Sequence, residues 1–233
     1  MCSSGRIPHL ESMNSLDPHR CGVLCVVSGP SGSGKTTLCR RLSEEDENIV
    51  YAVSATTRAA REGEQDGIDY HFLDRAEFEL RAGRGEFLEF AEVHGNYYGT
   101  LEDEVLIHIG AGRDVLLDLD VQGAASIRAN HDPRVREAFV DIFILPRSRE
   151  ELLERLRGRG TESREQLDLR LRNALQEMRH WDQYAYTIPS GSREEDFAVF
   201  RSIIESERHR SSRLMPACDR SSRTDVEGGD NQA

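Results

Sequence analysis

The stretch "GPSGSGKTT", Gly29–Thr37, constrains this chain more than any other. It directly follows the apolar run "GVLCVVS" and has the spacing G-x-x-x-x-G-K-[ST]. Glycines so placed let the backbone turn with its N–H groups pointing inward, an anion nest at the N-terminus of the next helix. The flanks fit: Val23–Ser28 reads as a buried strand and Thr36–Ser43 ("TTLCRRLS") as a helix. In such a loop Gly29, Pro30, Ser31, Gly32, Ser33, Gly34 and Thr37 cradle the phosphates of a nucleoside triphosphate. Lys35 reaches the β- and γ-phosphates, and the Thr36 hydroxyl meets Mg²⁺. Of 30 lysines and arginines Lys35 is the only lysine, at a point where a compact ammonium on a flexible stem differs from a planar fork.

Other apolar runs, Ile49–Val53, Val115–Leu119 and Phe139–Leu145, read as strands alternating with helical patterns, which predicts an α/β core with a parallel sheet. "DVLLDLD" is a buried strand ending in Asp118 and Asp120; one of these acids is expected to help place Mg²⁺, directly or through water, and at least one to cap a loop. Residues 54–109 change character: rich in Arg, Gly and acids, with short alternating stretches, they read as an inserted small subdomain. Residues 149–184 read as helical. Ser163–Gln166 has capping-box spacing, and Leu167, Leu171, Ala174, Leu175 and Met178 share one apolar face. "LLERLRGRGTES" suits a basic, glycine-hinged lid over phosphates, although the same charges also suit an exposed salt-bridged helix.

Composition narrows the partners. The net charge is −12, from 42 acidic against 30 basic residues, which argues against general binding to nucleic acid or an anionic membrane. No apolar run approaches the roughly 20 residues of a membrane span. The five cysteines lack zinc-like pairing; their odd number suggests a reducing compartment, the cytoplasm, with Cys25 and Cys39 as small core residues. Residues 1–20, where Met13 is a candidate start, and 209–233 are polar and patternless and read as disordered tails.

A second polar constellation lies in the insertion. "SATTRAAR" supplies Ser54, Arg58 and Arg61; "GIDYHF" supplies Tyr70; "FLEFAEVHGNYYGT" supplies Glu89, Tyr98 and Thr100. Guanidinium forks match phosphate oxygens, so these residues make a phosphate and base pocket apart from the glycine-rich loop. The acceptor of the phosphoryl group is thus expected to be a small phosphorylated molecule.

The six motifs "GPSGSGKT", "SATTRAAREGE", "GIDYHF", "GNYYGT", "LDLDVQGA" and "RLRGRGTES", in this order, closely resemble those of guanylate kinases from about Gly22 to Arg208. The resemblance implies a P-loop NTPase fold, a three-layer core with a parallel sheet, carrying an inserted mixed-β GMP-binding subdomain and a helical lid. The core would comprise residues 21–53, 110–148 and 185–208, the subdomain 54–109 and the lid 149–184. It implies Mg²⁺-dependent transfer from ATP to GMP, and to dGMP, in purine nucleotide metabolism. By position it implies that Arg58, Arg61, Tyr70 and Tyr98 bind the GMP phosphate and that Ser54, Glu89 and Thr100 meet the guanine. Asp118 belongs to the acceptor and Mg²⁺ region, while Arg155, Arg159 and Arg170 approach the transferring phosphates, with Lys35 and Arg58 also catalytic. Glu89 makes chemical sense beside this: one carboxylate accepts both guanine N1–H and N2–H₂, and adenine would leave it unpaired. An open form that closes on both substrates is expected.

The chain departs from the family pattern at "AYTIPSGSREED", where Pro189, Ser190 and Gly191 stand in place of Val-Asn-Asp near the adenine. Pro189 lacks a ladder donor and predicts a shortened or edge strand. Two other readings remain open on residues alone: a guanylate-kinase-like binding module, against which the complete phosphate loop speaks, and a related sugar-phosphate kinase, which would not need "LEF…GNYYGT".

Overall fold

The computed structural model describes residues 19–61, 63–93, 95–157 and 164–215. Its strands are β1 (His19–Arg20), β2 (Leu24–Ser28), β3 (Ile49–Tyr51), β4 (Ala55–Thr56), β5 (His71–Phe72), β6 (Phe87–Val93), β7 (Asn96–Leu101), β8 (Asp114–Asp118), β9 (Phe139–Leu145), β10 (Tyr186–Pro189) and β11 (Leu214–Met215). Its helices are α1 (Lys35–Glu45), α2 (Arg75–Gly83), α3 (Glu102–Gly110), α4 (Val121–Arg128), α5 (Pro133–Ala138), α6 (Arg149–Arg157), α7 (Arg164–Glu177) and α8 (Arg193–Arg208).

Five strands form a parallel sheet in the order β10-β9-β2-β8-β3. All residues of β2 are buried, as a strand covered on both faces requires. Its alternation divides the core. Cys25 and Val27 pack with Leu38 and Leu42 of α1 and Phe197 and Phe200 of α8. Leu24 and Val26 face Val105 of α3, Ala124 and Ile127 of α4, and Val135 of α5. Helices on both faces give three layers. Cys25 and Cys39 are buried in the first of these clusters. Pro189 ends β10, an edge strand, where a missing N–H is tolerated.

Between β3 and α3 lies a second sheet, ordered β5-β4-β7-β6, with β4 parallel to β5 and antiparallel to β7. Helix α2 holds it through Phe78, which is fully buried and stacks on Phe87 at 4.3 Å and Tyr97 at 5.2 Å between ring centroids. Helices α6 and α7 share an apolar seam of Leu152, Leu156, Leu171 and Ala174, packed with Leu167, Leu175 and Met178. This is the face that the 3.6-residue period of α7 predicts. Ser163 of the expected capping box lies outside the described residues.

Polar composition puts tails at 1–20 and 209–233, and the structure corrects part of each. β1 pairs antiparallel with β11, and Arg20 bonds to buried Asp114. Arg213, 2% exposed, donates to the Glu137 carbonyl at 2.6 Å and to Glu207 at 2.7 Å. A buried arginine matched to a buried carboxylate looks hydrophilic to any composition argument, which misplaces the boundary.

Gly22, at the entry to β2, carries a stability prediction. A Cβ there would stand 2.0 Å from the Arg113 carbonyl oxygen and 2.8 Å from the Ile109 Cα, both backbone atoms that cannot swing away. Gly22→Ala is expected to cost about 3 kcal/mol, read as a drop of several degrees in thermal unfolding. An unchanged midpoint would contradict this packing.

Candidate functional site

The site begins where β2 ends. The loop turns through left-handed conformations at Gly29, Gly32 and Gly34, with φ of 145°, 86° and 99°. At Gly29 a Cβ would also meet the Ile144 carbonyl oxygen at 2.5 Å, so the loop passes tightly over the end of β9. Helix α1 starts from Gly34 with no side-chain cap and no acid in its first turn. Its leading N–H groups are therefore left for an anion. Lys35 Nζ folds back to donate to the Gly29 and Pro30 carbonyls at 2.6 and 3.3 Å.

Parallel pairing of β8 with β2 sets Asp118 opposite Val27. Thr36 Oγ1 donates to Asp118 Oδ2 at 2.5 Å, and Lys35 Nζ lies 3.9 Å from Asp118 Oδ1. Asp120 instead caps α4, accepting from Gln122 and Gly123 N–H at 3.0 and 2.8 Å. One of the two acids thus caps a helix, as expected. A cavity of about 260 Å³ is lined by Lys35, Thr36, Asp118, Asp120 and Glu177. Nothing in the sequence singles out Glu177, the last residue of α7; burial pushes its carboxyl above the usual range.

On the second sheet, Glu89 is 8% exposed and accepts from Thr100 Oγ1 at 2.9 Å, across the β6–β7 pair. Burial pushes its carboxyl up to about 7, against the smaller opposing pull of the Thr100 hydrogen bonds. Helix α4 approaches this carboxylate at Gly123, where a Cβ would lie 3.3 Å from Glu89 Oε2. Arg58 lies over the Tyr70 ring at 5.4 Å, and Tyr70 meets Tyr98 edge-on at 6.0 Å. Arg58 is gripped by both oxygens of Glu64 at 2.9 Å, and Glu64 also accepts from the Arg61 N–H at 2.7 Å. Glu64 is the residue that sequence reasoning missed here; its signal is the second acid of "REGE", three residues beyond Arg61. Ser54 precedes β4, and its carbonyl accepts from the His71 N–H at 2.9 Å.

Helices α6 and α7 bring two predicted arginines onto the glycine-rich loop. Arg155 donates to the Ser33 carbonyl at 3.0 Å, and Arg170 to Ser31 Oγ at 2.9 Å. Leu156 lies against Gly32, where a Cβ would be 3.4 Å from it. The pair is thus drawn down on the loop. Arg159 lies outside the described residues. A further cavity of about 560 Å³ opens on the other flank of the loop, lined by Gly34, Thr37, Arg41, Arg155, Arg193 and Asp196.

The family described as Guanylate kinase matches residues 22–207. The chain is 42% identical over 195 residues to a guanylate kinase of Alkalilimnicola ehrlichii, covering 84% of this chain and 94% of that protein. It is 44% identical over 185 residues to that of Dechloromonas aromatica, covering 79% and 89%. Among solved structures it resembles guanylate kinase from Anaplasma phagocytophilum, with TM-score 0.69 and 36% identity over 85% of this chain and 92% of that one.

Proposed function

The chain belongs to the guanylate kinase family, and from that premise we infer that it transfers the γ-phosphoryl group of ATP to GMP, giving ADP and GDP. The observation that carries the acceptor is the buried Glu89–Thr100 pair. A carboxylate accepts both donors of the guanine edge, N1–H and N2–H₂, while adenine presents an acceptor at N1 and nothing at C2. Ser54 completes the guanine contacts in this reading. Arg58 and Arg61, with Tyr70 and Tyr98, hold the GMP phosphate, and the glycine-rich loop, Gly29–Thr37, holds the ATP phosphates.

The residues fit Mg²⁺. Thr36 and Asp118 set two hard oxygen ligands side by side in the cavity below Lys35, and Mg²⁺ typically takes one or two protein oxygens plus substrate phosphates and waters. Mg²⁺ held there would supply positive charge to offset that of the phosphates. Thr36 would hold it, with Asp118 direct or through a water.

No general base is needed, because the attacking GMP oxygen is already anionic. The protein's work is alignment and charge neutralisation. Arg58 and Arg61 bring one anion toward another; Lys35, Arg155 and Arg170 offset the repulsion from the loop and the helical lid. A lid drawn over the loop excludes water as a competing acceptor. The odd cysteine count, with Cys25 and Cys39 buried and unbridged, favours a reducing compartment such as the cytoplasm.

The test is product identity. ATP, Mg²⁺ and GMP incubated with the protein and resolved by anion-exchange chromatography are expected to give ADP and GDP in equal amounts. ADP without GDP would overturn the proposal.

A further inference from the structure

At the end of β10 the structure shows a polar chain running from the core to α6. Asp196, in the first turn of α8, is 6% exposed. Its Oδ1 accepts from the Gly191 N–H at 2.6 Å and its Oδ2 from the Ser190 hydroxyl at 2.7 Å. Ser190 is fully buried and pinned by its own N–H to the Leu145 carbonyl at 2.8 Å, so its hydroxyl has a fixed origin. That hydroxyl spends its proton on Asp196 and turns its lone pairs outward, where it accepts from Arg155 Nη2 at 3.1 Å. The other fork of Arg155 donates to the Ser33 carbonyl, and Glu151 approaches Nη2 at 2.6 Å.

We propose that Ser190 is a positioning residue for phosphoryl transfer, holding Arg155 against the glycine-rich loop through a hydroxyl oriented by buried Asp196. The inference rests on the kinase reading above. A hydroxyl that donates to a carboxylate is polarised and becomes a better acceptor for a guanidinium. A flexible arginine on α6 would otherwise sample many rotamers, and ordering it beforehand removes that cost from the reaction step. Within "IPSG" Ser190 carries the only side-chain hydroxyl able to do this.

A double-mutant cycle on the full chain tests it. The wild type is assayed first, with ATP and Mg²⁺, for ADP formed with and without GMP. No GMP-dependent turnover there would remove the kinase reading itself. Given that turnover, Ser190→Ala is expected to lower kcat about tenfold with a smaller change in the KM for ATP. In an Arg155→Ala background the same change is expected to alter kcat by no more than about twofold. Asp196→Asn, which keeps the shape but removes the charge, should follow the same dependence on Arg155 and stands in if Ser190→Ala fails to fold. Thermal midpoints of all variants separate a merely structural tie, which would lower stability equally in both backgrounds. Additive losses in kcat, or a Ser190→Ala enzyme as fast as the wild type, would overturn the inference.

Discussion

Lys35→Ala is expected to lower kcat by about a thousandfold, with thermal unfolding essentially unchanged. Lys35 sits at the first position of α1, and its ammonium rests on the Gly29 and Pro30 carbonyls, 3.9 Å from Asp118. Those contacts hold a mobile charge at the mouth of the loop, ready to exchange carbonyl oxygens for phosphate oxygens. Its hydrogen bonds are to carbonyls of the loop and not to the apolar core, so the fold should survive. Charge that develops during transfer loses its nearest compact cation, and preorganised charge of this kind contributes most to such reactions. Lys35→Arg should not rescue: a planar fork on a longer stem cannot occupy the same point inside a tight nest. Steady-state rates with saturating ATP and GMP check both variants; a loss under tenfold for Lys35→Ala would contradict the role.

The second large effect concerns Glu89. Glu89→Gln is expected to reduce kcat/KM for GMP about a hundredfold while leaving the KM for ATP nearly unchanged, because one of two charge-assisted hydrogen bonds to guanine becomes a donor facing a donor. The raised carboxyl adds a pH signature. Only the ionised form accepts both guanine donors, so below about pH 7 the KM for GMP should rise by about tenfold per unit. The glutamine variant should lose this component and keep only the titration of the GMP phosphate, near pH 6, which both enzymes share. Stability runs the other way. The ordinary carboxyl value is 4.5 and the folded one about 7, so in this window the folded state binds more protons than the unfolded. The protonated group's contribution is fully present below pH 4.5 and is lost as pH rises through about 7. The thermal midpoint of Glu89→Gln relative to wild type should therefore climb between pH 5 and pH 8, in the absence of GMP. A difference independent of pH would contradict a buried, proton-sharing Glu89.

How far the sequence carried depends on what each element needs. The glycine-rich loop was legible because its function demands backbone geometry that only glycine adopts, and Gly29, Gly32 and Gly34 all take it. The seam of α7 was legible from periodicity, and Pro189 pointed to a shortened or an edge strand, of which β10 takes the edge. Side-chain pairings across long sequence separations were not. The hold of Glu64 on Arg58 hides among 42 acidic residues, and the pairing of β1 with β11 joins strands of two residues each. "SREQ" and "SREE" satisfy the same capping-box pattern, and the described residues contain the second, Ser192 with Glu195, at the start of α8. The strand ends shift by a residue or two for a similar reason: hydropathy reports burial, whereas ladder hydrogen bonds decide where a strand stops.

The most direct test of the central claim is the rate of ADP release from ATP and Mg²⁺ with GMP, with AMP, or with no acceptor. Fast release with GMP and only background with the other two is the result expected from a carboxylate that reads the guanine edge. Release that is equally fast with AMP, or indifferent to any acceptor, would contradict it.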